Sequence, residues 1–383
     1  QEAHVEHAVG FVEDQDFDLV QERCALVHQI DQATRSGDEH VQPAAERGDL
    51  RTLADAADEM GGPWGAAGVT ASHVSVVTGL RQGLPETELL YAAGVSINGA
   101  DRAGIAGAVG ICDAADAVLL CLGEAANMSG EAASRANPNL PGQQRALAEA
   151  VFERARARAI PVIVILFSGR PLMVPWLAAK ADALLAAWFL GSEAGNAIAD
   201  VVTGRVAPSG RTPITWPRAV GQVPLFFAQR PSGRPADAQD HFTSKYLDLP
   251  NEPLYPFGHG LTYTRFTLAD LRVTPTSVGE ADTIQVQVEV TNAGACAGEE
   301  TVFLFSHDLV ASVARPVLEL KGFAKITLQP GESASLSLSL PASQLRFLGP
   351  DLSSIFEPGE VEILVGPCAD RSRLLVATVR LRA

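Results

Sequence analysis

Ala117-Val-Leu-Leu-Cys-Leu-Gly-Glu-Ala-Ala-Asn-Met-Ser-Gly-Glu-Ala-Ala-Ser-Arg135 decides the fold. Its first six residues form an unbroken apolar run of the length and richness of a strand covered on both faces. The run stops at Gly123 and hands over to Glu124, a small-residue loop, a second carboxylate at Glu131 and a cation at Arg135. In open α/β sheets, functional groups collect in the loops beyond the carboxyl ends of strands. A loop with two carboxylates and a guanidinium in that position is therefore a candidate catalytic element.

Working outward, strands and helices alternate. Ala103 to Ala115 reads as an amphipathic helix before the strand, and Pro141-Gly-Gln-Gln144 opens another after the loop, with Leu147, Ala150, Val151 and Ala155 on one face. Pro161-Val-Ile-Val-Ile-Leu-Phe167 reads as a buried strand, followed by a helix to about Lys180 and a strand from Ala183 to Trp188. Gly191-Ser192-Glu193 opens a further helix that ends near Gly204, with Ser192 as the expected N-cap. Upstream, Val74 to Leu80 is a short helix and Glu88 to Gly94 a short strand. Gly and Pro surround Trp64, a pattern that predicts an irregular loop anchored by one large ring. Strands alternating with helices of this length make parallel βαβ units.

Residues 211–265 lose the alternation to repeated prolines and read as a wrapping linker, closed by the aromatic turn Tyr255-Pro-Phe-Gly-His-Gly260, expected to pack between neighbouring domains. From 266 onward the period becomes two. Ile284, Val286, Val288 and Val290 alternate with Gln285, Gln287, Glu289 and Thr291, and similar runs recur between turn signals at Asn292-Ala-Gly294, Pro330-Gly-Glu332 and Pro358-Gly359. Evenly spaced strands of this kind make a β-sandwich. The fold class is thus α/β plus all-β: a mainly parallel-sheet α/β domain over 59–210, the linker, and a sandwich over 266–383.

Residues 1–58 stand apart as an acidic segment that carries half of the chain's eight histidines. His4, His7, Asp14, Asp16 and Asp18 lack strict ligand spacing, so no metal site is expected, and a solvated or disordered stretch is. The 383 residues, 47% hydrophobic and 19% charged, suit two or three ordinary globular domains. A net charge of −16 argues against nucleic acid or an anionic membrane as partner. No apolar run reaches the roughly 20 residues of a spanning helix, and no signal segment opens the chain. The five cysteines are scattered without a C-x-x-C pair, and Cys112 and Cys121 read as core residues. Gly191-Ser-Glu-Ala-Gly195 lacks the full pattern of a phosphate loop, so no nucleotide cofactor is expected.

Gly123-Glu-Ala-Ala-Asn-Met-Ser-Gly-Glu-Ala-Ala-Ser-Arg135, Phe167-Ser-Gly-Arg-Pro-Leu172, Ala187 to Asp200, Pro208-Ser-Gly-Arg-Thr-Pro213 and Leu254 to Tyr263 resemble the family 3 glycoside hydrolases, in particular those of the periplasmic β-glucosidase type. Arg315-Pro-Val-Leu-Glu-Leu-Lys-Gly-Phe323 and Pro330-Gly-Glu332 resemble the fibronectin-III-like domain that ends such enzymes. The resemblance runs from about residue 58 to the end. It implies a retaining, exo-acting β-glycosidase of carbohydrate catabolism with a periplasmic or secreted location. A (β/α)8 barrel would supply the nucleophilic aspartate and most contacts to the sugar, while the α/β domain would lend the acid/base glutamate. No barrel is recognisable here, and Glu46-Arg-Gly-Asp-Leu-Arg51 stands where the first strand of the α/β domain is expected. The chain alone is therefore expected to be inactive, its partners being β-linked glucosides or oligosaccharides and the missing barrel.

Retention requires two carboxyl groups about 5–5.5 Å apart, one a nucleophile and the other an acid/base. Glu131, mid-loop beside Gly130, has the reach to enter another domain's pocket. Glu124, at the strand end, is the alternative and could instead orient the loop or pair with Arg135. Both carboxylates could equally be loop-stabilising ion pairs. Met128, with Asn127, is placed at the leaving-group side. Arg135 is a candidate substrate contact, though a loop clamp suits it better. Arg170 and Arg211, beside prolines, read as structural pairs, Trp188 as a packing residue and Asp200 as a helix-end residue. The competing function is a non-catalytic carbohydrate-binding or structural fragment, or an inactive remnant.

Overall fold

The computed structural model describes residues 60–64, 73–237 and 239–383. The readings placed on residues 1–58, including the acidic segment and Glu46 to Arg51, lie outside the described residues. The chain divides into two compact units, one ending at Val206 and the other starting at Ala207.

The first unit holds a parallel three-stranded sheet in the order β1 (Val118–Gly123), β2 (Val162–Phe167), β3 (Ala183–Ala186). Leu120 lies opposite Val164, and Val164 opposite Leu184. All six residues of β2 are buried, as expected of an uninterrupted Val/Ile/Leu run in the middle of a sheet. Helix α3 (Gln144–Ala157) links β1 to β2. It buries Leu147, Ala148, Val151, Phe152 and Ala155, whose three- and four-residue spacing keeps them on one face. Before β1 come α1 (Val76–Gly83) and α2 (Ile105–Ile111). Helix α4 (Pro175–Ala178) and helix α5 (Ala194–Val202) flank β3.

Several predicted elements change. Glu88 to Gly94 forms no strand among the described residues, and Leu90 and Tyr91 are exposed. The helix expected to reach Lys180 is the single turn of α4, started by Pro175 at its first position. Ser192 does not cap α5. Glu193 takes the N-cap position without a side-chain bond, and the Ser192 carbonyl instead accepts the Val74 amide at 2.8 Å. Asp200 lies in the last turn of α5, in keeping with a helix-end residue, and pairs with Arg205 at 3.1 Å. Trp188 falls beyond β3, with φ at 50°. Trp64 anchors nothing, being 71% exposed, whereas Met60 in the same segment is 1% exposed and accepts the Gly191 amide at 2.8 Å.

Helices α1 and α5 touch backbone to backbone. A Cβ on Gly79 would lie 2.1 Å from the Gly195 carbonyl oxygen, and one on Gly195 would lie 2.0 Å from the Ser75 oxygen. Only backbone atoms are in the way, so neither residue can gain a methyl group unless the helices separate. Gly79→Ala is expected to destabilise the chain by about 1–3 kcal/mol despite its better helix propensity. Urea titration checks this, and an unchanged midpoint would show that the helices slide apart freely.

The second unit is a β-sandwich. One sheet runs β5 (Ser277–Val278), β11 (Leu375–Leu381), β10 (Gly359–Gly366), β7 (Gly298–Asp308), β8 (Glu319–Leu328). The other runs β4 (Phe266–Thr274), β6 (Thr283–Asn292), β9 (Ser333–Pro341). On β6, Ile284, Val286, Val288 and Val290 are buried in the core while Gln285, Gln287 and Glu289 are exposed, the alternation of a strand with one wet face. The turn after β6 is held by buried Asn292, whose amide donates to the Cys296 and Leu328 carbonyls and accepts from Thr264 and Gly294. The proline-rich segment preceding β4 packs on this same sandwich. Trp216 bridges to Tyr255, and Phe257 lies against Phe227 and Phe303. Phe257 of the aromatic turn thus packs within its own unit. Arg211 forms a buried ion pair with Glu300 at 2.5 Å, the structural pairing read from its setting.

Candidate active site

The site begins where β1 ends. Gly123 has φ at 145°, and a Cβ there would lie 1.8 Å from the Phe167 carbonyl oxygen, so only glycine allows the chain to turn against the end of β2. The Glu124 amide then donates to that same oxygen at 2.8 Å. Gln144, buried at the start of α3, clamps the turn from the other side. It accepts the Gly123 amide at 2.7 Å and donates to the Gly123 and Ile97 carbonyls at 2.7 and 2.8 Å. Three elements therefore fix the place at which the Glu124 side chain departs.

That side chain is fully buried. Arg135 Nη1 donates to Oε1 at 2.5 Å, while Arg170 Nε and Ser129 Oγ each donate to Oε2 at 3.2 Å. Arg170 also reaches into the loop, donating through Nη2 to the carbonyls of Met128 and Ala133, the latter at 2.7 Å. Ser129 Oγ accepts the Gly169 amide at 3.2 Å, tying the loop to the turn after β2. A Cβ on Gly169 would lie 2.5 Å from that oxygen, so the close approach needs glycine. The loop is thus wrapped around one carboxylate held between two guanidinium groups.

Glu131 is the opposite case. Its side chain is exposed, and no hydrogen bond or ion pair holds its carboxylate among the described residues. Gly130 at φ 95° and Ala132 at φ 58° flank it with two left-handed residues, which turn the backbone sharply on either side. Met128 is half-buried, and its carbonyl is already taken by Arg170. Asn127 is exposed on the same loop. The guanidinium of Arg135 is engaged with Glu124 at 2.5 Å. Cys121, one turn of chain upstream, is no nucleophile. Part of the residue reaches the surface, yet burial pushes its thiol up to about 12.

Glu124 thus has both oxygens occupied by charged and hydroxyl donors, whereas the exposed Glu131 carboxylate has no such bond among the described residues. Sequence reasoning missed Gln144 and Ser129 as organisers of the site. The first reads as an ordinary helix-opening residue, and the second as one more small residue in a flexible loop. Arg170, in the turn after β2, forms the structural pairing read from its setting. Among the described residues no group of His, Cys, Asp and Glu could hold a metal ion.

The model of the glycosyl hydrolase family 3 C-terminal domain matches residues 43–263. The chain belongs to glycosyl hydrolase family 3. The fibronectin type III-like domain matches residues 300–369, within the sandwich. A periplasmic β-glucosidase from Salmonella typhimurium is 36% identical over 337 residues, covering 82% of this chain and 44% of that protein. A β-xylosidase from Formosa agariphila is 36% identical over 323 residues, covering 83% of this chain and 43% of that protein. The crystal structure of a β-glucosidase from Listeria innocua in complex with gluconolactone superposes with a TM-score of 0.80 at 33% identity, over 86% of this chain and 45% of that one. The family 3 chain described here thus spans less than half the length of these relatives.

Proposed function

We propose that this chain supplies the acid/base carboxylate, Glu131, to a retaining, exo-acting β-glycosidase whose nucleophilic aspartate lies in a barrel outside this chain. The observation that carries the reading is the contrast within one loop: Glu124 is sealed and doubly paired, whereas Glu131 stands exposed and unpaired between two left-handed residues. A carboxyl that must deliver a proton to a glycosidic oxygen and then take one from water needs a free oxygen at the reacting bond. It must also hold its proton near neutral pH, which takes burial or a neighbouring anion. A covering pocket with an aspartate in it provides both.

Terminal β-D-glucosyl groups are the proposed substrate. The support is the β-glucosidases among the relatives, and the β-xylosidase of equal identity makes β-xylosides the comparison to run beside them. The test is hydrolysis of aryl β-glucosides and β-xylosides by this chain alone and by the chain combined with a family 3 barrel. Turnover is expected only in the combination. Strong turnover by the chain alone would overturn the assignment of the nucleophile to another domain.

A further inference from the structure

We infer that two copies of this chain join through β9, whose open edge pairs antiparallel with the same edge of the second copy to make one sheet across a twofold axis. The inference concerns the sandwich and is independent of the acid/base assignment. β9 lies at the edge of its sheet and bonds β6 on one side, in a register running from Thr283 opposite Pro341 to Thr291 opposite Ser333. Just beyond the two ends of β9, the Ala342 amide donates to the Asp282 carbonyl and the Asn292 amide to the Glu332 carbonyl, each at 2.9 Å. Main-chain groups alternate in direction along an antiparallel strand. Ala334, Leu336, Leu338 and Leu340 therefore bond β6, while Ser335, Ser337 and Ser339 turn their N–H and C=O groups to the open edge. Among the described residues no hydrogen bond engages those three amides or carbonyls. Pro341, which has no N–H to offer, ends the row.

The other edges of the sandwich are protected. β8 carries Glu319, Lys321 and Lys325. β4 is interrupted by a bulge between Ala269 and Arg272, with Asp270 at φ 52°. β5 is two residues long. Charge, a bulge and shortness are the means by which a sheet edge is kept from pairing with another chain. β9 has none of them. It is nine residues long, and no charged residue occurs from Ser333 to Leu345. In a chain of net charge −16, an uncharged edge is where a second copy of like charge can approach.

The strand also fits itself. With Ser337 on the axis, Ser335 faces Ser339 of the second copy, and Leu336 faces Leu338 of the second copy. Serine then meets serine on the outer face, and leucine meets leucine on the inner one. Each serine pair exchanges two main-chain hydrogen bonds. Leu336 and Leu338 are only partly buried against their own core, so pairing removes further apolar surface from water. Both copies use the same edge, and the contact closes at two rather than growing into a fibre. An interface this small makes a concentration-dependent dimer.

Sedimentation velocity of the full chain over a concentration series tests this, with Ser337→Lys, Ser337→Asp and Ser337→Pro beside the wild type. The wild type should pass from monomer to dimer as concentration rises. Lysine or aspartate alone should raise the dissociation constant about tenfold or more, because like charges meet on the axis. An equimolar mixture of those two variants should recover a mixed dimer, which native mass spectrometry distinguishes by mass. Ser337→Pro removes an N–H that β6 does not use, so it should leave the chain folded and monomeric. Should that variant fail to fold, the charge pair decides alone. A wild type that stays monomeric or polymerises would overturn the inference. So would a dimer indifferent to charge at position 337, or a mixture of the two charge variants that does not pair.

Discussion

Glu131→Gln, in the enzyme completed by its barrel, is expected to lose about 10²- to 10⁴-fold in kcat on substrates with poor leaving groups. The amide keeps the size and polarity of the carboxyl but can neither give nor take the proton. The loss should depend on the aglycone. A sugar or alkyl group needs protonation to depart, so its release should bear the full deficit. An activated aryl group such as dinitrophenolate leaves unaided, so the first half of the reaction should survive and the glycosyl-enzyme should accumulate because water is no longer deprotonated. Azide, a nucleophile that needs no base, should then restore turnover and yield the β-glycosyl azide. Chromatography of that product identifies the acid/base more securely than a rate does. Glu124→Gln should give no azide rescue, because that carboxylate is fully buried with both oxygens bonded. Rescue at position 124 instead of 131 would reverse the assignment.

Much of this molecule is legible in its sequence, and the illegible parts share a cause. The strands β1 and β2 and the alternating strand β6 are set by local patterns, because an unbroken Val/Ile/Leu run or a strict period of two admits few other arrangements. Glu88 to Gly94 has a comparable composition but fails as a strand, since a ladder needs a partner and composition does not reveal one. The same distinction governs the site. That the loop after Gly123 is the candidate for the chemistry follows from its place beyond a strand end. Which glutamate faces outward does not, because it depends on Arg170, brought from 46 positions along the chain to bond Glu124. Trp64 is misread for the same reason. A large ring among glycines reads as an anchor, but Met60 occupies the core and leaves the ring outside.

The second large effect falls on the hidden carboxylate. Glu124→Ala is expected to cost about 3–5 kcal/mol, because it leaves two largely buried guanidinium groups without a counter-charge. Glu124→Gln should cost less but stay well above zero, since the amide keeps an acceptor but turns an NH₂ toward a cation. The loss should appear in the urea transition of the α/β unit, while Glu131→Gln, whose side chain is exposed and unpaired, leaves that transition where it was. A buried ion cluster is seldom the most stable way to fill its space, because desolvation offsets most of the attraction. Replacing Glu124, Arg135 and Arg170 together with leucine or methionine is therefore expected to recover much of the stability lost by Glu124→Ala. It should not recover catalysis in the completed enzyme. Arg170 also holds the carbonyls of Met128 and Ala133, on either side of Glu131, and no apolar side chain can replace those bonds. A stable triple variant with normal turnover would show that the loop finds its shape without the cluster. A stable variant with little turnover would show that the charges serve to aim Glu131, at some cost in stability.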